Sequence, residues 1–277
     1  MRWVRWVAIV VFAASLSACS YFSSSSQEEV VDDRPANEIF AQAESELAGG
    51  DPVKAANTFN EIERLYPFSQ LAKRAIIMSA FASYEGRDYA SARASAGRYL
   101  ELYPSDQDAA YAQYLIALTY YDTIVDVGRD QGTTQDALRE LTEVVRRYPN
   151  SDYAREAKLK IDLTKDHLAA KEMNVGRYYL KRGYYTASVN RFKTVIDKYQ
   201  TTSQVPEAMH RLIEAYLALG LDEEARSVAV VLGHNFPGSD WYADSYALLT
   251  GRQVRDKPDD GGFFSRTYRT VIQGKWL

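Results

Sequence analysis

The chain has 277 residues, 46% of them hydrophobic and 25% charged, which allows one large or two ordinary globular domains and excludes disorder of the whole. Its formal charge of −4 lacks the basic excess that neutralises phosphates, so nucleic acid is excluded as a main partner. One Cys and three His, far apart in sequence, cannot build a zinc site or an internal disulfide, and no metal or cofactor is implied.

Arg2 and Arg5 precede an apolar run from Trp6 to Ala14, too short to cross about 30 Å of hydrocarbon as a helix. Residues 1–18 therefore read as a signal peptide. The run ends in Leu16-Ser17-Ala18-Cys19, which resembles the bacterial lipobox, and Cys19 is the expected lipid-attachment site. Two or three acyl chains there would hold the protein stably on a membrane without spanning it. Ser20 stands where Asp would favour inner-membrane retention, so the resemblance implies the periplasmic face of an outer membrane. Residues 19–35 carry many Ser and acidic side chains and no face to bury, the composition of a flexible tether.

From residue 36 the chain repeats. Tyr66-Pro67, Tyr103-Pro104, Tyr148-Pro149, Tyr199-Gln200 and Phe236-Pro237 recur at steps of 37, 45, 51 and 37 residues. Proline cannot continue a helix, and a Ser or Asp just after it can cap the next one. Sixteen or seventeen residues before each aromatic lies a glycine suited to a turn between helices: Gly50, Gly86, Gly132, Gly183 and Gly220. Counting back eleven from the aromatics gives Ala55, Ala92, Ala137, Ser188 and Ala225. Counting back seven gives Phe59, Ala96, Leu141, Phe192 and Ala229, and four gives Ile62, Tyr99, Val144, Val195 and Leu232. These offsets form one helical stripe.

A small residue, a bulkier one four further on and Pro eight beyond that resembles the tetratricopeptide repeat. The expectation is an all-α solenoid of about five helix pairs, a repeat domain over 36–250. Two intervals are overlong. The excess around Asp122–Gln131 reads as an elongated loop, and the stretch from Ser151 to Val175 lacks Pro and Gly. One extended helix near 152–182, roughly 45 Å long, is expected there, overhanging the stack. Residues 251–277 read as a polar linker and then a short amphipathic tail, with Phe264, Tyr268, Val271 and Ile272 on one helical face and Arg266, Arg269 and Lys275 as cations. That tail is either a disordered terminus or a segment that folds on a partner subunit or an anionic bilayer.

No phosphate loop, Gly-x-Ser-x-Gly elbow or His-Glu-x-x-His pair occurs, and His167, His210 and His234 have no neighbouring ligand, so no catalytic residue is assigned. A tetratricopeptide array is by default a partner-binding surface.

With the lipobox, the acidic tether and the five repeats, the chain up to about Phe236 resembles the BamD family, the lipoprotein subunit of the β-barrel assembly machine. Pro35-Ala36-Asn37-Glu38-Ile39-Phe40, Tyr66-Pro67-Phe68, Tyr148-Pro149-Asn150-Ser151 and Lys165-Asp166-His167-Leu168-Ala169 carry the likeness. The resemblance implies a non-enzymatic scaffold whose C-terminal repeats dock the periplasmic domain of the barrel subunit BamA. It also implies an N-terminal groove that receives unfolded outer-membrane proteins, and accessory lipoproteins of the same BAM complex as further partners. Arg191, Tyr178 and Tyr179 match the BamA-facing positions, and Tyr66 and Arg98 match positions in the substrate groove. Glu101 departs from the pattern, which has a second arginine there. The alternative is a tetratricopeptide lipoprotein that scaffolds envelope or peptidoglycan synthesis.

Overall fold

The structure is a computed structural model and describes residues 34–251. The signal peptide, Cys19, most of the tether and all of the tail but Gly251 lie outside the described residues. Among the described residues there are eleven helices: α1 (Ala36–Ala48), α2 (Pro52–Leu65), α3 (Gln70–Glu85), α4 (Tyr89–Leu102), α5 (Ala109–Tyr121), α6 (Gly132–Arg147), α7 (Asp152–Lys181), α8 (Tyr185–Lys198), α9 (Val205–Ala218), α10 (Asp222–Asn235) and α11 (Asp240–Thr250). Each packs on the next, giving five antiparallel hairpins from α1–α2 to α9–α10, with α11 closing the stack.

One local rule builds every hairpin. The five aromatics end the second helices in the same way: Tyr66, Tyr103, Tyr148, Tyr199 and Phe236 donate their N–H groups four residues back, over 2.8–3.0 Å. Tyr199 adopts this ending with φ −127° although Gln follows it, so the stop does not depend on proline alone. Three residues further on, Ser69, Ser151 and Ser239 cap the next helix through their hydroxyls. All residues at the three inward offsets are 0% exposed, so the stripe read from the sequence is the core of each hairpin. Ser188 is tolerated there because its hydroxyl donates to the Tyr185 carbonyl at 2.7 Å.

The turns correct the glycine reading in two places. Gly50, Gly183 and Gly220 adopt the left-handed conformation between the helices of their hairpins, but Gly86 does not. Arg87, sixteen residues before its aromatic, takes that role with φ +58°. Gly132 is the first residue of α6 rather than a helix stop, because the long loop displaces the tight turn.

The extended helix spans 30 residues, α7, but it does not overhang the stack. Its N-terminal half packs Tyr153, Ala157 and Ile161 against the third hairpin, and its C-terminal half sends Ala169 and Met173 into the fourth and fifth. The loop before α6 covers its middle: His167 Nε2 donates to the Val125 carbonyl at 2.9 Å, and Lys171 Nζ donates to the carbonyls of Gly128 and Arg129. The two insertions of the repeat pattern are thus one structural unit. No helix among the described residues is long and apolar enough to cross a membrane.

Candidate functional site

The fourth hairpin turns through Arg182, Gly183 and Tyr184, closed by the Tyr184 N–H donating to the Tyr179 carbonyl at 3.0 Å. Tyr178 and Tyr184 stand out from it, 52% and 59% exposed. Tyr179 lies between them, its ring 5.7 Å from Tyr178 and 6.3 Å from Tyr184, and the Arg182 guanidinium sits 4.6 Å over the Tyr178 ring. On α8, Arg191 Nη1 donates to Glu172 Oε2 of α7 at 2.9 Å, with 43% of its side chain exposed. One of the five guanidinium donors is thereby fixed and others face solvent. Tyr179 follows Glu172 by two helical turns, about 10 Å along the same face of α7. Arg191, Tyr178 and Tyr179 therefore share one edge of one hairpin.

Sequence reasoning missed Tyr184 and Leu221, and the repeat frame holds the signal for both. Fifteen residues before the aromatic, the first two hairpins have Asp51 and Asp88, whose carboxylates accept the N–H groups of Lys54 and Ser91. The equivalent residues of the fourth and fifth hairpins are Tyr184 and Leu221, with no side-chain cap. Loss of such a cap typically costs about 1 kcal/mol. In its place each turn exposes an apolar side chain, Leu221 at 38% with Leu219 at 39% beside it. Helix capping has been exchanged for an aromatic and aliphatic edge with arginines beside it, the composition of a protein-docking surface.

Tyr66 stands one helical turn beyond Glu63, the ion-pair partner of Arg98. The Tyr66 hydroxyl donates to the Arg34 carbonyl at 2.6 Å, clasping the chain as it enters α1. Arg98 lies in a cleft of about 530 Å³ between α2 and α4, with Asn60, Glu63 and Ser95, and Tyr66 is not part of its lining. The cleft opens because the backbones of the first helices of neighbouring hairpins approach closely whereas those of α2 and α4 do not, so that only side chains bridge them. Arg98 Nη2 donates to Glu63 Oε2 at 2.8 Å, while its buried Nε has no hydrogen-bond partner. At the next turn, Asp106 accepts from Lys73 Nζ at 2.5 Å and from the Tyr99 hydroxyl at 2.6 Å. These donors hold its carboxyl well below the usual range, at about 2.

His210 is buried, and its Nδ1 donates to Ser245 Oγ at 2.8 Å, since that hydroxyl already donates to the Trp241 carbonyl. Burial pushes its pKa down, and its role is to join α9 to α11.

The family model described as outer membrane lipoprotein (YfiO) matches residues 32–231. A Caulobacter vibrioides protein named outer membrane protein assembly factor BamD is 45% identical over 90% of this chain and 81% of its own. The protein of that name from Rickettsia prowazekii is 42% identical over 72% of this chain and 80% of its own, and that from Neisseria gonorrhoeae is 30% identical over 83% and 90%. Among solved structures, the TPR domain of P58(IPK) covers 77% of this chain and 55% of its own at 14% identity, with a TM-score of 0.40.

Proposed function

We propose, for a chain that belongs to the BamD family of outer-membrane protein assembly factors, that the edge formed by Tyr178, Tyr179, Tyr184, Arg191 and Leu221 docks the periplasmic domain of a BamA-like barrel subunit. The protein acts in outer-membrane protein assembly and is not an enzyme. Its solenoid supplies surfaces, and the cleft holding Arg98 is the candidate receiver of unfolded outer-membrane proteins. Accessory lipoproteins of the complex would share the remaining surface. Acyl chains on Cys19 would hold the whole at the periplasmic face of the outer membrane.

The observation that carries the docking reading is the missing pair of helix caps. The equivalent helix starts of the first two hairpins keep a capping Asp. Restoring it separates the two roles. Tyr184→Asp and Leu221→Asp should raise thermal stability, by about 1 kcal/mol each, while weakening binding of the partner's periplasmic domain tenfold or more. Tighter or unchanged binding by the stabilised variants would overturn the assignment. Arg191→Glu should weaken the same complex, and an acid-to-base change on the partner should restore it. Cys19→Ala should release the protein from sedimented outer membranes when partners are absent.

A further inference from the structure

The last helix of the stack has the start and the stop of a hairpin's first helix, and no second helix beside it among the described residues. α11 begins three residues after Phe236 with Ser239 as its cap, in register with Ser69 and Ser151. It stops at Gly251, whose φ of +67° is the left-handed turn otherwise found at Gly50, Arg87, Gly183 and Gly220. In those four hairpins that turn leads directly into a second helix packed back on the first.

The side of α11 turned away from the stack carries Asp240, Asp244 and Leu248, spaced by four and all exposed, with Leu248 at 48%. Neither aspartate enters an ion pair among the described residues. Ala243 and Ala247 flank this stripe and allow a neighbouring backbone to come close.

The chain that follows carries a complementary pattern. On a helix Phe264, Tyr268, Val271, Ile272 and Lys275 would fall on one face, with Arg269 at its edge and Arg266 opposite. Between Gly251 and Phe263 lie eleven residues, including Pro258, Gly261 and Gly262. Extended, they reach roughly 36 Å, more than twice the about 16 Å length of α11, so the chain can reverse and run back along it. Run antiparallel, Phe264 meets Leu248 at one end, and Arg269 from the edge of the face and Lys275 lie toward Asp244 and Asp240 at the other. We infer that residues 263–277 pack against the outer face of α11 as a sixth hairpin partner and cap the solenoid. The occupant is this chain's own tail, tied beside its site by a short linker and carrying an aromatic for Leu248 and cations for the two aspartates.

The test uses the full mature chain with Cys19→Ser, carrying Leu248→Cys and Phe264→Cys together. Mild oxidation at low micromolar concentration should give an intramolecular disulfide in a monomer. Deleting residues 263–277 should speed amide exchange across 242–250 by at least about tenfold and leave the first three hairpins unchanged. Asp244→Lys should have the same effect, and Arg269→Glu in that background should reverse it. A crosslink found only between copies, or exchange in α11 indifferent to the deletion, would overturn the inference. So would tail protection that develops only on phosphatidylglycerol vesicles or with a bound subunit, each of which names another occupant.

Discussion

One substitution, made at two glycines, should move stability in opposite directions. Gly97 lies within α4, and a Cβ added there meets nothing within 4 Å. Alanine at that position should gain the full helix-propensity difference of about 1 kcal/mol. Gly176 lies within α7 where α8 crosses it, and a Cβ there would stand 2.5, 2.9 and 2.9 Å from three ring carbons of Phe192. Carbon atoms prefer about 3.5–4.0 Å, so ring and helix must part by about 1 Å. Phe192 is 0% exposed and packed within a cluster of buried side chains. Overpacking of this kind costs about 1–3 kcal/mol, which exceeds the propensity gain and leaves a net loss of up to about 2 kcal/mol. For a body of this size 1 kcal/mol moves the midpoint by roughly 2–4 °C, so Gly97→Ala should raise Tm by that amount and Gly176→Ala lower it by up to roughly 4–8 °C. Thermal unfolding followed by far-ultraviolet circular dichroism reads both. A rise in Tm for Gly176→Ala comparable to that for Gly97→Ala would refute the close crossing of α7 and α8.

Arg87→Gly should stabilise the second hairpin by about 0.5–1 kcal/mol, because a side chain is strained at φ +58°; an unchanged denaturant midpoint would show that the turn relaxes in solution. Asp106 ionises more readily when folded than in the unfolded chain, where its pKa is about 3.9. Its contribution is therefore complete above about pH 4 and lost as pH falls through about 2, and Asp106→Asn should flatten stability across that interval in an acid titration. Lys171→Met removes the donors to the Gly128 and Arg129 carbonyls, and amide exchange should quicken over residues 123–131 while α7 keeps its protection.

How much of this was legible in the sequence differs by feature. The inward stripe was fully readable, since burial forces the same small and bulky residues into the same offsets at Ala55 and Phe59 as at Ser188 and Phe192. In the second hairpin the glycine is not the left-handed residue: the sixteen-residue offset from Tyr103 falls on Arg87, so position in the repeat decides the turn and residue type does not. The length of α7 followed from the absence of breakers, but its surroundings did not. His167 and Lys171 bond to backbone carbonyls, and an acceptor that every residue possesses leaves no mark in composition. Tyr178, Tyr179 and Arg191 came from family resemblance, and the structure sets them along one edge. Tyr66 and Arg98 came the same way; Arg98 lines the cleft, and Tyr66 stands one helical turn from its Glu63 partner without lining it. Tyr184 and Leu221 needed only a comparison of equivalent positions across the five copies, where aspartate gives way to apolar side chains.

In a stack of hairpins each unit ordinarily grips only its neighbours, and the array can bend a little at every seam. α7 removes one seam. A single uninterrupted rod is fastened at its beginning to the third hairpin and at its end to the fourth and fifth, with a loop lashed across the middle. It works as a splint. The front hairpins, with the Arg98 cleft, and the rear ones, with the tyrosine edge, are held at a set spacing and rotation. A load taken up at one end is therefore delivered to the other as displacement rather than lost in flexing between them.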